Sequence, residues 1–285
     1  MKTTHTAIAL VALTAFVASC AGGQRGPRYK PQVIERALAG APGAAQPSTI
    51  VSTEIAFARA AREEGQWTAF REFAAPGALL HGRNGVVDAA GFLAGLSDPE
   101  QPVQWGVRTV AMSCDGALAV SQGRYRDPDG IVGNYVTVWQ RQSDGTYLYT
   151  YDAGGPDVPQ PPPRAEIEDG DIVVTAIDAV QGLIATCPRG EQTVPPPPAI
   201  PIGAEGAGDA QLSRDGTLRW RWEHRADGTK YVIADYYYLG EWQTAIEEKS
   251  AADVATATGI SVASVYQSKS RVLRRLRQRL SELPE

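Results

Sequence analysis

The sequence predicts an α+β fold: helices packed on a curved antiparallel sheet, then a smaller β-rich part and a helical C-terminal tail. Three observations lead to this class. Helix signals gather between residues 49 and 96, ahead of any sustained strand pattern. From Pro102 to Asp152, four β-branched and aromatic stretches follow one another across Asp-Gly turns. After Lys249 the composition becomes basic and amphipathic.

Composition sets the outer bounds. The 285 residues are 43% hydrophobic and include 11 Tyr and 6 Trp, ample for a sizeable core. The formal charge of −5 is unevenly spread, with seven Lys and Arg against three Asp and Glu from Lys249 onward. An acidic body offers no case for nucleic acid, so a polyanion partner would have to bind the tail.

The first segment, 1–19, is predicted to be a processing signal. Lys2 is followed by an apolar-to-small run from Ala7 to Ala18, shorter than the roughly 20 residues that span a bilayer. An ordinary signal peptide or a buried helix would also fit such a run. The run ends at Val17-Ala18-Ser19-Cys20, which resembles the lipobox of bacterial lipoproteins. That resemblance implies cleavage before Cys20 and lipid on its sulfur, with two or more chains giving stable anchoring. Ala21 stands where an Asp would resemble an inner-membrane retention signal, so the implied destination is the periplasmic face of the outer membrane. Residues 20–48, rich in Gly, Pro, Ala and Gln, read as a flexible membrane tether.

Folded structure is predicted from Thr49. Ser52 or Thr53 can cap a first helix whose apolar face is Ile55, Ala56, Phe57, Ala60 and Ala61, with a stop at Gly65. A second helix carries Trp67, Phe70 and Phe73 on one side and ends at Pro76-Gly77. A short strand over Ala78–His81 precedes a third helix, opened by Asp88 and running to about Leu96. Strands follow at Val103–Met112, Ala117–Tyr125, Ile131–Arg141 and Thr146–Asp152, with Tyr147, Tyr149 and Tyr151 alternating along the last. Their turns are Cys114-Asp115-Gly116, Asp127-Pro128-Asp129-Gly130 and Ser143-Asp144-Gly145.

Residues 49–156 in this order resemble the SnoaL-like branch of the nuclear transport factor 2-like superfamily. The resemblance rests on Glu54-Ile55-Ala56-Phe57-Ala58-Arg59-Ala60-Ala61, Gly82-Arg83, Tyr135-Val136-Thr137-Val138-Trp139 and Tyr151-Asp152-Ala153-Gly154. It implies a cone-shaped α+β fold with a pocket between sheet and helices, and a homodimer through the open sheet face. The superfamily holds isomerases, cyclases and dehydratases beside inert binders, so it assigns no reaction.

Residues 157–248 read as a Pro-rich linker and a β-rich extension, either a small lobe or a decoration of the first sheet. Strand candidates are Ile172–Val180, Leu218–Glu223, Tyr231–Tyr238 and Glu241–Ile246, while the proline run within Thr193–Ile202 is expected extended and exposed. Cys114 and Cys187 are an even pair once Cys20 is set aside, and either pair as a disulfide in an oxidising compartment or remain buried thiols.

No nucleophile elbow, phosphate loop, CxxC or Cys/His cluster occurs, so the sequence asks for no metal and no cofactor. If the pocket is catalytic, His81, Tyr149, Tyr151 and Asp152 are the acid or base candidates. The competing reading is that aromatic side chains simply fill the cone.

Residues 249–285 carry the sharpest motif. Asp253-Val254-Ala255, Gly259-Ile260-Ser261-Val262 and Val265 through Arg277 resemble the helix-turn-helix of region four of extracytoplasmic-function sigma factors. The resemblance implies that Ser264, Gln267, Lys269, Arg271 and Arg274 would meet promoter bases or phosphates. Export and promoter binding exclude one another in a single mature molecule. A spliced chain joined near Glu247–Ser250, a retained surface hairpin, a mistaken start or proteolytic release would each reconcile them. The expected function is therefore an exported, lipid-anchored envelope protein binding a small ligand or protein partner. Its alternatives are a DNA-binding regulator and a pocket enzyme.

Overall fold

A computed structural model describes residues 44–161, 179–189, 192–200, 206–225 and 229–248. Within them the α+β class holds: three helices line one face of a curved seven-stranded sheet.

Helix α1 (Pro47–Glu63) begins before the Ser52 and Thr53 that the sequence suggested as caps. Pro47 opens it, where a missing N–H loses no helical bond. Ser52 and Thr53 lie inside it and donate their hydroxyls to the Ser48 and Thr49 carbonyls, both at 3.0 Å. Its inward stripe is Ile50, Glu54, Phe57 and Ala61, and Ile55, expected inward, is 55% exposed. Helix α2 (Gln66–Glu72) follows Gly65 and is capped from afar: Asp98 accepts the Trp67 and Thr68 N–H groups and the Thr68 hydroxyl. Asp98 thereby does the work that no residue next to α2 supplies. Asp88 caps α3 (Ala89–Ala94) by accepting the Gly91 N–H at 2.7 Å.

The first sheet runs β2-β1-β6-β5-β4-β3-β7. Its strands are β1 (Ala74–Gly82), β2 (Gly85–Asp88), β3 (Gln104–Met112), β4 (Leu118–Arg126), β5 (Val132–Arg141), β6 (Tyr147–Pro156) and β7 (Gln181–Ile184). The four central strands are those the sequence predicted and pair antiparallel, but the sheet is mixed where an antiparallel one was expected: β1 lies parallel to β6, and β7 parallel to β3. Pro76-Gly77, read from the sequence as a helix end, lies within β1, where the pairing with β6 is interrupted between Ala74 and Leu79 and tolerates a missing N–H. Strands β2 and β7 had no predicted counterpart. Residues 171–178, most of the predicted Ile172–Val180 strand, lie outside the described residues.

A second sheet, β11-β10-β9-β8, is wholly antiparallel. It comprises β8 (Gly206–Leu212), β9 (Leu218–Arg225), β10 (Lys230–Tyr238) and β11 (Glu241–Glu248). Leu218, Trp220, Val232, Ala234 and Ile246 pack on Ala111, Val120, Val136, Val138 and Tyr151 of the first sheet. The helices cover the opposite face, with Phe57 at the centre of Phe70, Phe73, Trp105, Trp139 and Tyr149. The extension is thus a second layer, and it occupies the sheet face through which the family resemblance implied a dimer.

Two hairpin turns are near copies of one another. Ser113, Asp115, Gly116 and Leu118 recur as Ser213, Asp215, Gly216 and Leu218. In each turn the Ser hydroxyl donates to the Asp, the Ser Oγ accepts the Leu N–H, and the Gly has positive φ, 67° and 70°. The turns also touch, with the Asp115 N–H donating to Asp215 at 2.9 Å. Cys114 and Cys187 are joined as a disulfide with Cα atoms 5.1 Å apart, fastening the chain beyond β7 to the end of β3. The proline run lies outside helix and strand and is tied down: Arg219 donates to the Pro198 carbonyl and Trp242 to that of Pro195.

Candidate binding site

The four acid or base candidates separate onto two faces of the first sheet. An alternating strand would have put Tyr147, Tyr149 and Tyr151 side by side. Strand β6 instead slips one residue at Thr150, where Val138 pairs with Tyr151 and Trp139 with Tyr149. Tyr149 consequently points to the helices, and its hydroxyl donates to the Phe70 carbonyl at 2.8 Å. That bond makes it a structural tie. Tyr151 points to the second sheet and meets His81 there.

Asp152 faces the helix side, accepting the Thr137 hydroxyl at 2.6 Å, and burial raises its carboxyl to about 6. Its neighbour in charge is Glu54, which the sequence reading missed. Glu54 is 2% exposed; it accepts the Ser121 hydroxyl at 2.5 Å and the Tyr135 hydroxyl at 3.2 Å. Trp139 Nε1 donates to the same Ser121 oxygen at 2.9 Å. Burial, aided by Asp152, raises the Glu54 carboxyl to about 7. The Glu54 carboxyl can therefore hold or release a proton near neutrality, but aromatic rings occupy the neighbouring space. The signal for it was present, since Glu54 sits on the apolar α1 stripe between Ile50 and Phe57.

Between the sheets lies a chain of polar rings. His81 is 3% exposed; its Nδ1 is 2.6 Å from the Tyr151 hydroxyl and its Nε2 is 2.9 Å from His224 Nδ1. Two imidazole nitrogens facing each other can share one proton, not hold two. Burial, then the Lys230 and His224 charges, lower His81 to about 4. Lys230 reaches across from β10 and donates to the His81 and Gly154 carbonyls at 3.0 and 2.5 Å. Trp222 stands edge-on to His81, with ring centres 5.1 Å apart. His224, Lys230 and Trp222 escaped the sequence reading because nothing local marks a residue that acts only by stacking one sheet on another.

Beside this chain a cleft of about 310 Å³ opens, floored by Leu79 and Thr150 and walled by Asp209, Gln211, Trp220 and Trp222. No protein-family profile matches the sequence, and no curated protein is significantly similar to it. Among solved structures, the chain is similar to nuclear transport factor 2 from Cryptosporidium parvum. The two are 14% identical with a TM-score of 0.31, over 39% of this chain and 95% of that one. Strand order and helix placement, rather than that likeness, define the fold described above.

Among the described residues no group of three or more His, Cys, Asp or Glu could hold a metal ion. Cys20, the proposed lipid site, and the tail residues Ser264, Gln267, Lys269, Arg271 and Arg274 lie outside the described residues.

Proposed function

We propose that this is an exported envelope protein, held to the membrane by lipid on Cys20, whose two-layered body binds a small ligand rather than transforming one. The observation that carries it is the Cys114–Cys187 disulfide, because such bonds persist in oxidising compartments and are rare in the cytosol. It agrees with the lipobox-like Val17-Ala18-Ser19-Cys20 and its preceding apolar run. The cleft beside Trp222 supplies a place for the ligand, with polar groups converging on an aromatic wall. The SnoaL-like reading of residues 49–156 belongs to the same proposal, as does the outer-membrane destination.

Feeding cells an alkyne-tagged palmitate tests the anchor. Wild type should be labelled and Cys20→Ala should not; equal labelling of the two removes the proposal. Fractionation of the native host separates it from promoter binding by residues 249–285, for which a soluble, nucleoid-associated pool is the required result.

One observation favours a second reading, a pocket enzyme: the Glu54 carboxyl raised to about 7. It requires that solvent and substrate reach Glu54 in the native fold. A water-soluble carbodiimide should then modify Glu54 under native conditions, and protection of that residue in peptide mapping excludes it.

A further inference from the structure

The cleft between the two sheets has a lining specific enough to name a ligand class. On β8 and β9, Asp209 pairs across with Trp222, and Gln211 with Trp220. Directly opposed side chains share a face, and this is the one that His224 turns to the first sheet. The four side chains therefore stand over Leu79 and Thr150, where the second sheet overhangs β1 and β6.

The hydrogen-bonding capacity is divided. Gln211 Oε1 already accepts Trp220 Nε1 at 2.8 Å, so the Gln211 amide nitrogen is left to donate. Asp209 Oδ1 accepts the Ala210 N–H at 2.8 Å, so Oδ2 is left to accept. The Thr150 hydroxyl, 3.5 Å from the Val138 carbonyl, is weakly engaged and can do either. A ligand that uses the whole lining brings donors for Asp209, acceptors for Gln211 and apolar surface for the half-buried Trp222 indole. An anion meets only a carboxylate among the charged groups of the lining. A quaternary ammonium engages Asp209 and the Trp222 indole but makes no use of the Gln211 donor.

A pyranose meets all three demands: each hydroxyl both donates and accepts, while the ring C–H face is apolar. The volume, near the lower end of small-ligand pockets, holds about one such ring. We infer that the cleft formed by Leu79, Thr150, Asp209, Gln211, Trp220 and Trp222 binds a neutral saccharide residue. The inference rests on the binding-module reading above and supplies its ligand class.

Tryptophan fluorescence of the full chain, titrated with glucose, galactose and N-acetylglucosamine, tests it. At least one sugar should give a saturable change with a millimolar midpoint. Gln211→Ala and Asp209→Asn should each weaken that midpoint at least tenfold, with unchanged melting temperature. Tetramethylammonium chloride serves as the cationic control. Three outcomes overturn the inference: no saturable change with any sugar, saturation by the cation instead, or a sugar response undiminished in both variants. Lipid labelling of Cys20 reads out independently, so failure here is distinguishable from failure of the anchoring proposal.

Discussion

At the scale of single residues, two buried groups pull stability in opposite directions along the pH axis. Glu54 keeps its proton to about pH 7 in the fold, against an ordinary 4.5. Its contribution is complete below about 4.5 and is lost as pH rises through 7. The shift corresponds to about 3 kcal/mol. Asp152, raised to about 6, acts in the same sense. His81, lowered from 6.5 to about 4, acts in the other: its contribution is complete above 6.5 and is lost as pH falls through 4. Two groups that lose stability against one that gains it leave a net fall as pH rises from about 4.5 to about 7. Urea unfolding of Glu54→Gln should show a smaller loss than wild type between pH 5 and pH 8. Equal losses in the two proteins would show that another group titrates. Replacing His81 with Gln removes the opposing trend, so the fall should steepen between about pH 4 and 6.5 and stay as it is above 6.5.

At the scale of elements, local strain and covalent bracing can be tested. Leu239 and Gly240 form the two-residue turn between β10 and β11, and Leu239 has φ of 50° while 75% exposed. A turn of this kind wants Asn or Gly in that place. Leu239→Asn should stabilise by about 1 kcal/mol in chemical denaturation. The disulfide closes a loop of 73 residues, so Cys114→Ser with Cys187→Ser should lower stability by about 4 kcal/mol. What was legible in the sequence follows the same division. Strands β3 to β6, β9, β10 and β11 announced themselves by β-branched and aromatic runs between Asp-Gly or Leu-Gly turns. Strand β8, Gly206-Ala207-Gly208-Asp209-Ala210-Gln211-Leu212, has low strand propensity and is held by pairing with β9, a cause beyond its own residues. The Thr150 slip was equally invisible, since an alternating pattern looks the same with or without a bulge. Of the candidate site, His81 and Tyr151 were identified from residue chemistry. Their partners His224 and Lys230 arrive from 143 and 149 residues away in the chain, a distance that no local pattern reports.

At the scale of the whole molecule, the described part is two sheets joined through Tyr151, Trp220, Trp222 and the His81–His224 pair. The second sheet belongs to the same chain as the face it covers, so it is present there at high effective concentration however dilute the protein is. Melting temperature should accordingly stay constant over a roughly hundredfold range of protein concentration, where a sheet covered by a separate chain would melt lower on dilution. The first sheet then needs no second copy of the chain to keep its apolar face out of water.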